Sequence, residues 1–123
     1  MYVYTTEMII IEKLRAICQQ NPKYKEIVTT HTITPRFRDF FDINLLMEKY
    51  PIDITSTRIK ELARIIFAAK KVPPYFIKEI GKQRDFHRTD YVSVKDTVKA
   101  GVVLKDFDFY FDYVTTKFGA IEF

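Results

Sequence analysis

Apolar residues recur at helical spacing through most of the chain. Thr5 and Thr6 offer N-capping hydroxyls, Glu7 suits the positive end of a helix dipole, and Ile10, Leu14, Ile17 and Cys18 follow on one face. This pattern predicts a helix from about Thr6 to Gln20, stopped by Asn21-Pro22. A second helix opens after Pro35, near Arg36 or Phe37, and runs to about Tyr50, ahead of Pro51. The third follows the cluster Asp53-Ile54-Thr55-Ser56 and buries Ile59, Leu62, Ala63, Ile66 and Phe67. It closes at Lys70-Lys71, cations suited to the negative helix end. Pro73-Pro74 then forces an extended break. A short helix from Tyr75 to Ile80 is expected to stop at Gly81, and a longer one to cover about Thr89 to Lys99, with Gly101 as C-cap. The last runs from about Leu104 to Lys117, where Phe107, Tyr110, Phe111 and Val114 form an aromatic stripe that reads as core.

Two stretches break the helical pattern. Tyr2-Val3-Tyr4-Thr5 is β-branched and aromatic and reads as a strand end without a nearby hairpin partner. An unpaired edge of that kind invites pairing, so a homodimer through residues 2–5 is one expectation. Lys23 to Pro35 is polar and Thr-rich, and reads as an excursion or a short hairpin. The fold expected is mainly α, a single helical domain over residues 1–123 built as a bundle of about five helices with a short N-terminal strand.

Composition narrows the class. With 47% hydrophobic residues but only three Gly and five Pro, the chain is neither disordered nor collagen-like. Its single Cys excludes a disulfide framework and a Cys-based zinc site. No apolar run approaches the roughly 20 residues of a bilayer span, and no signal peptide pattern is present. A cytoplasmic protein with no membrane partner is expected. Charge is uneven: residues 60–100 hold ten Lys/Arg against five Asp/Glu, and residues 101–123 two against four. The basic middle reads either as solvated helix surface or as a face toward an anionic partner such as RNA or a nucleotide.

The common catalytic signatures are missing. The three glycines are isolated at 81, 101 and 119, so there is no glycine-rich phosphate loop. Cys18 lies on an apolar helix face and reads as a small hydrophobe. His31 and His87 sit in polar contexts without a second ligand at metal spacing, and both are expected at the surface. Asp106-Phe107-Asp108 has the spacing of a metal pair but falls in the aromatic stripe, so no metal site is assigned. Two constellations remain. Lys13 lies at the border of an apolar face, where it either snorkels or projects into a cleft as a positive charge for a phosphate. Asp39 and Asp42 share a helix face, and Arg38 and Asp42 are an i,i+4 pair. They serve helix stability, or they supply a carboxylate that orients the cleft Lys or binds a metal or sugar hydroxyl.

The order of these motifs narrows the choice. A strand ending in Val3-Tyr4-Thr5, then Glu12-Lys13-Leu14-Arg15-Ala16 on a helix, then Arg38-Asp39-Phe40-Phe41-Asp42 opening the next and running into Leu45-Leu46, resembles the C-terminal half of the AbiEii/AbiGii toxin family of nucleotidyltransferases. The resemblance covers about residues 2–50. It implies that Lys13 and Arg38 are on the nucleotide-binding side, Lys13 contacting the triphosphate, and that Asp39 or Asp42 completes the active site. It also implies an N-terminal half, with a Gly-Ser turn and metal-binding carboxylates, that residues 1–123 lack. Nucleoside triphosphate and Mg²⁺ are then expected only if that half is supplied, and the chain alone is expected to be inactive. The partners implied are that missing half or an antitoxin protein, and an RNA acceptor such as tRNA. The rival expectation is a non-catalytic helical protein-interaction module.

Overall fold

Where each helix begins is decided by a few capping groups. The computed structural model describes residues 5–97 and 103–122. In chain order the helices are α1 (Thr6–Cys18), α2 (Tyr24–Ile27), α3 (Phe37–Lys49) and α4 (Thr57–Ala69), then a 3-10 segment (Pro74–Gln83), α5 (Arg84–Arg88), α6 (Tyr91–Thr97) and α7 (Phe107–Gly119). Three of them start on a side chain of their own: the Met8 N–H donates to the Thr5 hydroxyl at 3.1 Å, Ile59 N–H to Ser56 at 3.2 Å, and Phe109 N–H to Asp106 at 3.0 Å. Each such cap is worth about 1 kcal/mol.

The apolar faces then dictate the packing. α1 buries Ile10, Ile11, Leu14, Ile17 and Cys18 and lies against α3, α4 and the 3-10 segment. α3 is held on its other side by α7, where Phe40 and Phe111 stack with centroids 5.2 Å apart and Phe41 meets Tyr110 edge-on. Sandwiched in this way, α3 presents its first turn to the polar edge of α1.

The mainly helical fold is as expected, with differences of detail. No strand occurs among the described residues; positions 2–4 of the expected strand lie outside them, and Thr5 is the extended N-cap of α1. Lys23 to Pro35 forms no hairpin. Instead α2 buries Tyr24, whose hydroxyl donates to the Lys70 carbonyl at 2.7 Å, and the Thr34 N–H donates to Gln20 Oε1 at 2.7 Å. Gly81 does not end a helix, because its backbone is not left-handed and Phe76, Ile77 and Ile80 anchor the segment in the core through to α5. α6 starts two residues later than expected, at Tyr91, and the proposed cap at Gly101 lies outside the described residues. No helix among those described is long and apolar enough to cross a membrane.

Much of the charge asymmetry is spent inside the molecule. Arg84 donates to Asp108 at 2.9 Å and to Asp112 at 2.7 Å, Arg88 donates to Asp108 at 3.2 Å, and Lys78 donates to Glu122 at 2.9 Å. The guanidinium of Arg84 also lies 4.5 Å from the centre of the Phe111 ring. Thus Asp106 is a helix cap and Asp108 an ion-pair partner.

The end of α4 stores a small strain. Lys71 N–H donates to the Ala68 carbonyl and Val72 N–H to the Phe67 carbonyl, with both Phe67 and Val72 buried. This is the Schellman arrangement, whose left-handed position is usually glycine; here it is Lys71, at φ 58°. Lys71→Gly should therefore raise the unfolding free energy by about 0.5–1 kcal/mol. Urea denaturation measures this, and an equal or lower midpoint would count against it.

Candidate functional site

The polar edge of α1 and the first turn of α3 enclose a cleft of about 400 Å³, lined by Ile9, Glu12, Lys13, Arg15, Ala16, Arg36 and Asp39. Ile9, Glu12, Lys13 and Ala16 fall at i, i+3, i+4 and i+7, one stripe of the helix. Lys13 does not snorkel away. Its Nζ donates to Asp42 Oδ2 at 3.0 Å and stands 3.5 Å from Asp39 Oδ1, with the side chain 27% exposed.

Those two carboxylates also hold arginines. Arg36 Nε donates to Asp39 Oδ2 at 2.6 Å, and Arg38 Nε to Asp42 Oδ1 at 3.1 Å. The result is a ladder, Arg36, Asp39, Lys13, Asp42, Arg38, whose own three cations and two carboxylates sum to one net positive charge. Asp39, only 10% exposed on its side chain, is shielded from water that would screen its pairs. Next to the ladder, Arg15 donates through Nη2 to Glu12 Oε2 at 2.6 Å and through Nη1 to Gln19.

The structure thus brings together Lys13, Asp39 and Asp42, which lie 26 and 29 positions apart in sequence. Arg38 reaches the group only through Asp42; it does not line the cleft, and its guanidinium lies 5.5 Å from the centre of the Phe41 ring. Glu12, Arg15 and Arg36 line the cleft without having been singled out. Glu12 and Arg15 belong to the same helical motif as Lys13, so their place was readable there; the position of Arg36 depends on residues far along the chain.

Those residues are His87 and Asp90. Arg36 is the N-cap of α3 but makes no capping bond with its own side chain. Instead its N–H donates to His87 Nδ1 at 3.0 Å, and the Phe37 N–H donates to Asp90 Oδ1 at 3.3 Å. His87 is not at the surface as expected. It is fully buried, with ring centroids 5.1 Å from Phe40 and 5.3 Å from Phe86. The helical turn α5, where a polar loop was expected, rotates it inward. His31 is half-buried and set edge-on against Tyr24 at 4.9 Å. Cys18 is buried, and burial pushes its thiol far above the usual range, so it remains a neutral hydrophobe.

Divalent metal fits these residues poorly. Among the described residues no group of three or more His, Cys, Asp or Glu is placed to hold one. Asp39 and Asp42 already use their oxygens on Lys13 and the two arginines. Their chemistry here is to fix a cation at the mouth of a cleft.

The family model described as "Nucleotidyl transferase AbiEii toxin, Type IV TA system" matches residues 1–113. No curated protein and no solved structure matches.

The acceptor role of His87 requires a neutral ring, and burial, followed by the charge of Arg36, pushes its pKa from 6.5 down to about 4. The unfolded chain therefore takes up a proton near pH 6.5 that the folded chain refuses. Stability is complete above that pH and falls as pH drops toward 4. From about pH 8 to about pH 5 the loss should be about 2 kcal/mol, before most carboxylates protonate. His87→Gln, which keeps an acceptor and does not titrate, should flatten this slope in urea denaturation series; a slope unchanged in the variant would exclude His87 as its source.

Proposed function

Because the chain belongs to the AbiEii nucleotidyl transferase toxin family of type IV toxin–antitoxin systems, we propose that residues 1–123 act as one helical domain supplying the nucleotide-phosphate side of a nucleotidyltransferase site. The observation that carries this is Lys13, held at the mouth of the cleft between Asp39 and Asp42. A flexible ammonium on an unbraced stem would lose rotamer freedom on meeting a phosphate. Braced by two carboxylates, that freedom is already spent, and the charge is aimed before the ligand arrives.

In this reading Lys13 contacts the triphosphate, Asp39 and Asp42 orient Lys13, and Arg38 acts at one remove by fixing Asp42. Transfer of a nucleotidyl group in this class uses divalent metal to neutralise the phosphates and activate the attacking hydroxyl. The proposal assigns that metal to residues other than these 123, so these residues by themselves are inactive. The acceptor is RNA such as tRNA, and an antitoxin completes the system. Exposed Lys70, Lys71 and Lys95, which have no carboxylate partner among the described residues, are the part of the basic middle still able to face an acceptor.

Isothermal calorimetry with nucleoside triphosphate and Mg²⁺ tests the central assignment. Lys13→Ala should weaken binding about tenfold or more, the scale of one charge-assisted hydrogen bond. Its thermal midpoint should change little, because Arg36 and Arg38 still neutralise the two carboxylates. Equal affinity in wild type and variant would remove the phosphate role and favour the rival, a helical interaction module in which Lys13 only ties α1 to α3.

A further inference from the structure

The arginines around the cleft are not equivalent. Arg15 has both Nη groups occupied, by Glu12 and Gln19, and its Nε is buried. Arg38 lies outside the lining. Arg36 faces the cleft from the wall opposite Lys13, with only its Nε engaged, on Asp39; neither Nη makes a hydrogen bond among the described residues, and the side chain is 39% exposed.

Arg36 also stands where helix stability does not want it. The N-cap position favours Ser, Thr, Asp or Asn, and a cation there opposes the helix dipole. The i,i+3 pair with Asp39 is of the same order and of opposite sign, so it roughly cancels that cost. The capping work itself is done by His87 and Asp90, which bind the first backbone N–H groups of α3. Two distant residues hold the backbone, and the arginine side chain is left free of the capping task, with its Nη groups unengaged among the described residues.

We infer that Arg36 is a second phosphate-contacting side chain, its paired Nη groups taking one phosphoryl group of a polyphosphate while Lys13 takes the neighbouring one. This rests on the phosphate role of Lys13 and deepens it by adding a second cationic side chain, so that two adjacent phosphoryl groups of the triphosphate are engaged rather than one. Asp39 accepts from Arg36, lies 3.5 Å from the Lys13 ammonium, and so sets the separation of the two cations. An arginine suits this place because its planar fork binds a phosphoryl group at two points while Nε stays on Asp39.

The test titrates the full chain at low salt with inorganic tripolyphosphate and with orthophosphate, each without metal. For tripolyphosphate, Arg36→Gln should lower affinity about tenfold. Orthophosphate should bind weakly to both proteins. Arg36→Lys should recover only part of the loss. Arg58→Gln, removing an equal charge at an exposed residue outside the cleft, should bind as wild type does. Thermal midpoints of the Arg36 variants should stay near that of wild type. If Lys13→Ala weakens tripolyphosphate binding and Arg36→Gln does not, the Arg36 assignment is overturned while the phosphate role of Lys13 stands. If neither variant weakens binding, both are overturned. A loss in Arg36→Gln matched by Arg58→Gln would reduce the effect to net charge and also overturn the inference.

Discussion

The bond from the Arg36 N–H to the buried, neutral ring of His87 fixes where α3 begins, and the cleft depends on that starting point. A helix whose first turn shifted by one residue would rotate its side chains by about 100°. Asp39 and Asp42 would then leave the face that meets Lys13. Ordinary local caps guard against this in α1, α4 and α7, each of which has its own hydroxyl or carboxylate at the N-cap. α3 has none, and the registration comes from His87 of α5 and from Asp90, just before α6, across more than fifty residues. The aromatic contacts of Phe40 and Phe41 with α7 secure the same helix further along. Short helices that look like connectors in the second half of the chain therefore position a site made by the first half.

Electrostatics follows the same division. The arginines of α5 and the aspartates of α7 neutralise one another across rings that also receive the guanidinium faces. Opposite charges placed in different sequence segments thus act as an assembly contact between them. Within the ladder at the cleft the balance is incomplete, three cations against two carboxylates. A divalent metal would compete with Lys13, Arg36 and Arg38 for the same oxygens. In the proposed phosphate role, a polyanion would instead join the ladder without displacing every bond within it.

How much of this was legible in the sequence depended on range. The spacing of Ile10, Leu14 and Ile17, and of Ile59, Ala63 and Ile66, located α1 and α4 because helical periodicity is local. Lys13 at the border of its apolar face, and the shared face of Asp39 and Asp42, were visible for the same reason. The burial of His87 was not, since Arg84, Asp85 and Arg88 around it are charged and its long-range contacts with Phe40 and Arg36 account for it. Nor was the turn at Lys71: the glycine that announces a Schellman ending is missing, and burial of Phe67 and Val72 imposes the geometry instead. Gly81 was the opposite error, a residue associated with endings in a place where the core continues.

Arg36 shows how the two ranges combine. Read locally, it is a poor N-cap, a cation beside a helix dipole, and local reasoning predicts that Ser, Thr, Asp or Asn would serve better. Read with His87 and Asp90 in place, the backbone no longer needs that side chain, so its identity is released from the demands of helix initiation. A position freed from stabilising its own helix can hold a residue chosen for what lies in front of it. What lies in front of Arg36 is a cleft with a braced lysine on its far wall and a shared carboxylate between them. In this chain the departure from a local rule and a guanidinium at the cleft with Nη groups unengaged among the described residues coincide at one residue, and the long-range caps are the physical reason the fold tolerates it.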